Sequence, residues 1–319
     1  MIGRRGLVLG TAAFAATRAV RAAETLTLLV GAAAGSPMDE VARAFAPFLA
    51  RHLPLSEVGV RNIPGGAGMA AANALAEAPA DGSVLGWVAT PTLPARSVDR
   101  GAEDLLRRIV LLGAVQKEPV AIVSPAATPL GSVQDIVSRA AEDADAVPLG
   151  TPPPGSPPHL AALRLQAVAA TRLNIVAFPS SAAARQAAVA GNVAAAALTL
   201  SSAIGDLREG RLVGLGITST SRSEVFPDMP PLGDSGLNLE AYVRRGLAAP
   251  AGLPGEVAHR LTAAMQAVVA DTEFQDQAAD RGFLAKWIDG PTWAAVAETE
   301  RGELAKLWAT EPWLQEGEG

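Results

Sequence analysis

The sequence predicts an α/β protein of two domains with largely parallel sheets. Short apolar runs bounded by Gly and Pro alternate with Ala-rich segments of helical period, the pattern of strands that feed crossover helices. The 319 residues correspond to about two domains, and a hydrophobic share of 49% is enough to fill two cores. Disorder is excluded on the same grounds.

Residues 1–22 read as an export signal peptide outside the fold. Arg4 and Arg5 give a basic start, 6–17 an apolar run, and Val20-Arg21-Ala22 a small-residue cleavage site. Arg4-Arg5 followed by Gly6-Leu7-Val8-Leu9 resembles a twin-arginine signal, with Gly3 where a polar residue is usual; the general secretory route stays open beside it. Arg18 and Arg21 interrupt the run before it reaches the roughly 20 apolar residues of a membrane span.

Beyond it, 25–30 reads as a strand, 37–52 as a helix, 58–63 as a strand, 68–77 as a helix and 84–89 as a third strand. Two separate strands follow at 109–115 and 120–123, then a helix at 133–142. Strand 146–150, helix 157–170, strand 174–177 and helix 182–190 come next, followed by strand 194–200, helix 202–208 and strand 212–218. The tail reads as helices 254–270, 272–281 and 291–309, and in the last Trp293, Val296, Leu304 and Trp308 form a core-facing stripe. Strand-like crossings near 120–123 and 243–248 place one domain inside the other. Residues 23–121 with 246–319 form the first domain, and 122–245 the inserted second. Two crossings make a hinged cleft.

Composition narrows the chemistry. There is no Cys, and His52, His159 and His259 are the only three His, beside Lys117, Lys286 and Lys306 as the only Lys. No thiolate, disulfide or Fe–S chemistry is available, and no GxSxG, HExxH or EF-hand pattern occurs. The expectation is a binder, not an enzyme, with no cofactor and no metal. The formal charge of −6 becomes −10 once residues 1–22, with four Arg and no acid, are removed. Nucleic acid and anionic membranes are therefore unsuited partners, since both need a basic face. An anionic ligand would be held by local donors against the global field.

Two loops supply such donors. Gly31-Ala32-Ala33-Ala34-Gly35-Ser36-Pro37-Met38-Asp39 follows the first strand. Gly150-Thr151-Pro152-Pro153-Pro154-Gly155-Ser156-Pro157-Pro158-His159 follows a strand in the second half. Each sets Ser at a helix N-cap and Pro at the first helical position, where free N–H groups and the helix dipole favour an anion. Ser36 with Asp39 is also an ordinary capping box, and Asp39 reads as the acceptor that shapes its loop. The second loop lacks the Lys of a phosphate loop, and its prolines carry no N–H donors. The loop from Asn62 to Gly68 fails GxGxxG, which argues against dinucleotides. Arg244-Arg245 at the second crossing could present guanidinium forks to a carboxylate, and two of them point to a ligand with more than one carboxylate.

These segments together resemble the tripartite tricarboxylate transporter receptors, the Bug or TctC family of solute-binding proteins. The resemblance rests on the strand, loop and helix of 28–43, on Asn62-Ile63-Pro64-Gly65-Gly66-Ala67-Gly68, on Ala80-Asp81-Gly82, and on Gly155-Ser156-Pro157-Pro158-His159-Leu160. It continues through Gly216-Ile217-Thr218-Ser219-Thr220-Ser221-Arg222, Phe226-Pro227-Asp228-Met229-Pro230 and Ala249-Pro250-Ala251-Gly252-Leu253-Pro254. It implies a type II periplasmic-binding-protein fold, with two α/β domains around a ligand cleft joined by two crossing strands. It also implies a small carboxylate of di- or tricarboxylate type, captured by hinge closure and passed to the membrane subunits of a transporter. Gly35, Ser36, Asp39, Thr90, Gly155, Ser156, His159 and Thr199 are the candidate ligand contacts by position, with Arg244 and Arg245 beside them. Departures from the family pattern fall at Ala33-Ala34-Gly35-Ser36, Phe178-Pro179-Ser180, Leu198-Thr199 and Arg244-Arg245. The expectation is a periplasmic monomer, not membrane-embedded. An extracytoplasmic sensor subunit or an enzyme on the same fold are the alternatives.

Overall fold

The computed structural model describes residues 25–53 and 57–314, so the export-signal reading lies outside the described residues. The chain runs β1 (Thr25–Val30), α1 (Pro37–His52), β2 (Glu57–Asn62), α2 (Met69–Ala76), β3 (Val84–Thr90), α3 (Thr92–Asp99), α4 (Glu103–Arg108) and β4 (Ile109–Pro125). It continues with α5 (Val133–Glu142), β5 (Pro148–Thr151), α6 (Pro157–Ala169), β6 (Asn174–Ala177), α7 (Ser181–Val189), β7 (Ala195–Thr199), α8 (Leu200–Arg208) and β8 (Leu212–Ile217). It closes with β9 (Tyr242–Pro250), α9 (Gly255–Ala270), α10 (Thr272–Asp280), β10 (Leu284–Asp289) and α11 (Gly290–Thr310).

The outer strands are parallel as expected: β1 pairs with β2 and β3, and β5 with β6 and β7. The middle is antiparallel, because β9 runs back against both β3 and β4 while β7 and β8 run against β4. A strand that returns the chain from one half to the other has to reverse direction beside the strand that left.

The two strands expected at 109–115 and 120–123 are one strand of 17 residues. The polar stretch between them stays extended because Gln116, Lys117, Glu118 and Pro119 face Arg245, Arg244, Val243 and Tyr242 of β9. Up to Pro119 β4 belongs with β9 and β10, and from Val120 on it pairs with β7 and β8. It is thus shared by the two halves.

Each half has its own core. In the first, Phe45 of α1 lies against Trp87 of β3 at 5.1 Å between ring centroids, with Phe274 and Phe283 beyond. In the second, Ile122, Ile136, Leu149 and Leu165 pack one face of the sheet, while Ala121, Ala187, Ala196 and Leu198 pack the other. Alanine at these positions lets α7 and α8 lie close on the strands. Trp293 and Leu304 of the expected stripe are fully buried. Trp313 adds a contact the stripe did not include: with Ala95 of α3 it packs against Leu160 and Leu163 of α6, tying the tail to the second half. The sequence reading also passed over α3, α4 and β10. Pro94, Arg96, Ser97 and Asp99 hide the period of α3, and β10 carries a register shift between Ala285 and Ile288.

Candidate functional site

The first loop is shaped from within. Ser36 caps α1 by accepting the Asp39 N–H at 3.4 Å, and Pro37 is the first helical residue. The Asp39 carboxylate, 1% exposed, accepts from the Gly35 N–H at 2.8 Å, Arg43 Nε at 2.9 Å and Asn62 Nδ2 at 2.8 Å. Burial alone would raise its pKa; the bonds from Arg43, Gly35 and Asn62 outweigh it and hold the group below the usual carboxylate range. Asn62 also donates to the Ala32 carbonyl at 2.9 Å, which joins the start of the third loop to the first.

The second loop is packed against the opposite half. Ser156 sits at the N-cap of α6, but its hydroxyl makes no capping bond and is buried without a partner among the described residues. His159 Nδ1 accepts the Gly155 N–H at 3.4 Å, so its ring proton sits on Nε2. Burial and the positive Arg96 beside it lower its pKa to about 4. Arg96 of α3 donates to the Pro154 carbonyl at 3.0 Å and pairs with Asp99 at 3.0 Å; Asp99 also accepts Trp313 Nε1 at 2.7 Å. A Cβ on Gly155, whose φ is +70°, would collide with Arg96 Nη2. Only glycine fits that position. Thr90 is also committed: fully buried, it accepts Trp293 Nε1 at 3.0 Å.

A cavity of about 390 Å³ opens where three helices begin. Gly35, Pro37, Glu40 and Val41 line it from α1, and Ser181, Ala182 and Arg185 from α7. Ser201, Ser202 and Ile204 line it from α8, with Arg245 of β9 and Arg281, the residue after α10. The halves touch at its rim. Arg208 of α8 donates to the Asp280 and Ala279 carbonyls at 2.8 and 3.1 Å, capping α10 across the boundary. Gly282, φ +80°, has no room for a Cβ between Ile204 and the Ser201 backbone.

Gly35 and Arg245 therefore line the cavity, and Ser36 and Thr199 are the N-caps of α1 and α8 at its edge. The Thr199 hydroxyl bonds the Ser202 hydroxyl at 2.7 Å and leaves the helix N–H groups uncapped. One of those N–H groups, that of Ser201, has another acceptor. Glu118, fully buried on β4, takes the Ser201 N–H at 2.9 Å on one oxygen, and Gln116 Nε2 at 3.1 Å with Arg245 on the other. Arg244 pairs with Glu300 at 2.8 Å and lies over the Tyr242 ring. Burial holds the Glu300 carboxyl above its ordinary range against the pull of Arg244. Both guanidiniums of the Arg244-Arg245 pair are thus met by the chain's own carboxylates, and a count of ligand carboxylates no longer follows from them. Arg185 pairs with Asp206 at 2.6 Å, whereas Arg281 has no ion pair among the described residues. A larger hollow of about 740 Å³ lies elsewhere, beneath 311–314, and takes in Pro153, His159, Phe178 and Trp313. The smaller cavity is the better candidate because helix N-termini converge on it. Glu118, Arg96 and Arg281 were missed from sequence, since none stands in a motif. Among the described residues no group of three His, Asp or Glu could hold a metal ion. No described helix is long and apolar enough to cross a membrane.

Comparison with known proteins agrees with this architecture. A family model described as the tripartite tricarboxylate transporter family receptor, TctC, matches residues 41–295. A UPF0065 protein of Bordetella bronchiseptica is 28% identical over 288 residues, covering 89% of this chain and 85% of that protein. Among solved structures, MatC from Rhodopseudomonas palustris with bound malate aligns at a TM-score of 0.78 and 24% identity, covering 89% of this chain and 98% of that one. A second R. palustris protein, with adipate, aligns at 0.80 and 21%, covering 90% and 96%. The periplasmic binding protein BugD aligns at 0.76 and 22%, covering 90% and 97%, and the fold is that of the periplasmic binding proteins.

Proposed function

We propose, from the premise that this chain belongs to the tripartite tricarboxylate transporter receptor family, that it captures a small carboxylate in the cavity between its halves. The observation that carries the reading is the convergence of the α1, α7 and α8 N-termini on one cavity that also holds Arg281, a guanidinium with no ion pair among the described residues. A helix start not already met by a carboxylate, as at α7, favours a negative group by roughly 0.3–1 kcal/mol, and a guanidinium bond to a carboxylate adds about 1.5–3 kcal/mol. At about 390 Å³ the space suits a small molecule.

Capture then proceeds by closure of two lobes, 23–121 with 246–319 and 122–245, about the crossings of β4 and β9. The Ser36 hydroxyl presents the first lobe's donor and Ser181 at the start of α7 the second lobe's, since the Gly35 N–H is held by Asp39 and the Ser201 N–H of α8 by Glu118. Asp39, Thr90, Gly155, His159 and Arg244 support the walls by the bonds described above. The receptor works in the periplasm as a monomer, exported by the signal in residues 1–22, and delivers its ligand unchanged to transporter membrane subunits. The ligand is a small carboxylate, and the di- or tricarboxylate type is one of the classes to be tested.

Calorimetry with mono-, di- and tricarboxylates, including the malate and adipate held by the two relatives, tests the reading. Saturable binding of at least one acid is the expected result. Tight binding of a neutral solute with no response to any acid would overturn it.

A further inference from the structure

We infer that Glu118 is a specificity-determining residue: a built-in carboxylate that lies behind the α8 side of the cavity and engages the donors there, so that the site selects a ligand with a single carboxylate. The inference rests on the carboxylate reading of the cavity and adds the number of charges the ligand carries.

Three observations support it. The Glu118 side chain is fully buried at the point where β4 passes between the halves, and it spends both oxygens on groups that an incoming carboxylate would use. One accepts the N–H of Ser201, the second residue of α8, and the other bonds Arg245 together with Gln116. Ser201 and Arg245 both line the cavity. A ligand carboxylate placed there would have to displace Glu118 or sit against its charge, and like charges that close do not ionise together without a large penalty.

The charge balance points the same way. Arg185, Arg245 and Arg281 lie around the cavity with Glu40, an excess of positive charge on the lining. Behind the lining, Glu118 is bonded to Arg245 and Asp206 to Arg185, with Arg211 sharing Asp206, so both of these lining guanidiniums are already engaged by carboxylates of the chain. The first turn of α1 already carries Asp39 and Glu40, so the attraction left for a ligand comes from Arg281 and the start of α7, with the Ser36 hydroxyl as a neutral donor: room for one carboxylate. Toward α8 the lining offers Ile204 and the hydroxyls of Ser201 and Ser202, which suit an uncharged end of the ligand. The Thr199 hydroxyl cannot replace Glu118 as the cap, because it is turned to Ser202.

Hexanoate and adipate differ only in the second carboxylate and make the test pair. In calorimetry the wild-type protein is expected to bind hexanoate at least about tenfold more tightly than adipate. In Glu118→Gln, which releases Arg245 and the Ser201 N–H, the ratio is expected to move at least about tenfold toward adipate. The variant Glu118→Gln/Arg245→Gln carries neither charge and is expected to keep the hexanoate preference, so it reads the charge effect even if the single variant does not fold. Wild-type protein that prefers adipate, or a ratio unchanged in Glu118→Gln while both acids bind, overturns the inference and leaves the cavity reading standing. A double variant that shifts to adipate also overturns it. Binding of neither acid nor any other acid to the wild type overturns the cavity reading, and the inference with it.

Discussion

Replacing Asp39 by Asn removes one charge and no volume from the centre of the first loop. The native carboxylate is 1% exposed and takes three bonds, from the Gly35 N–H, Asn62 and Arg43. A bond to a charged acceptor contributes about 1.5–3 kcal/mol when shielded. The Gly35 and Asn62 bonds are in that class. The Arg43 pair is worth at most about 1 kcal/mol, because its guanidinium side chain is 48% exposed. Asn keeps one acceptor oxygen and turns an NH2 group toward a donor, so about 2–4 kcal/mol of stability should be lost. The loss has a pH signature. The folded-state pKa of Asp39 is depressed, so its contribution is present above the unfolded value of about 3.9 and disappears as pH falls through the lower folded value. Urea unfolding at neutral pH should show a lower midpoint for the variant. Once pH falls below that lowered folded value the two midpoints should converge. A variant that unfolds with the wild type at neutral pH would refute the claim that Asp39 holds the loop.

Three further outcomes follow from the geometry. Gly155→Ala forces a Cβ into Arg96 at a positive φ and should cost about 1–3 kcal/mol, read as a fall in Tm. His159 has a folded pKa of about 4 against an unfolded value of about 6.5, so stability should decline as pH falls from about 6.5 to 4. It should be flat in this respect above about 6.5, and His159→Gln should lose that slope, in pH-dependent melting curves. Arg281→Gln, at an exposed residue with no described ion pair, should leave Tm within about 1 °C and weaken carboxylate binding roughly tenfold or more in calorimetry.

What could be read from the sequence was local. Ser36 before Pro37, and Ser156 before Pro157, mark helix starts within a few residues of chain, and both helices begin there. The outer parallel strands were legible because each is a short apolar run followed by its own helix. The pairing of β9 was not, since the same apolar run suits either strand direction and only the path of the chain decides it. The site was legible in part for a related reason. Gly35 and Arg245 were found because they sit in conspicuous motifs. The partner of Arg245 is 127 residues away in a polar stretch that looked like a break between strands. Arg96 likewise reaches Pro154, 58 residues on, from a helix whose apolar period is masked by Pro94 and Ser97. The Thr199 hydroxyl shows the limit of capping arithmetic: it has the position of a cap, but a buried glutamate has its bond.

The central claim is that a small carboxylate binds where α1, α7 and α8 begin. A crystal structure of the protein with the tightest-binding acid tests it most directly. The account predicts the ligand carboxylate bonded to Arg281 and to N–H groups or hydroxyls at the starts of α1 and α7. A ligand lodged instead in the hollow beside His159 and Trp313 would contradict it.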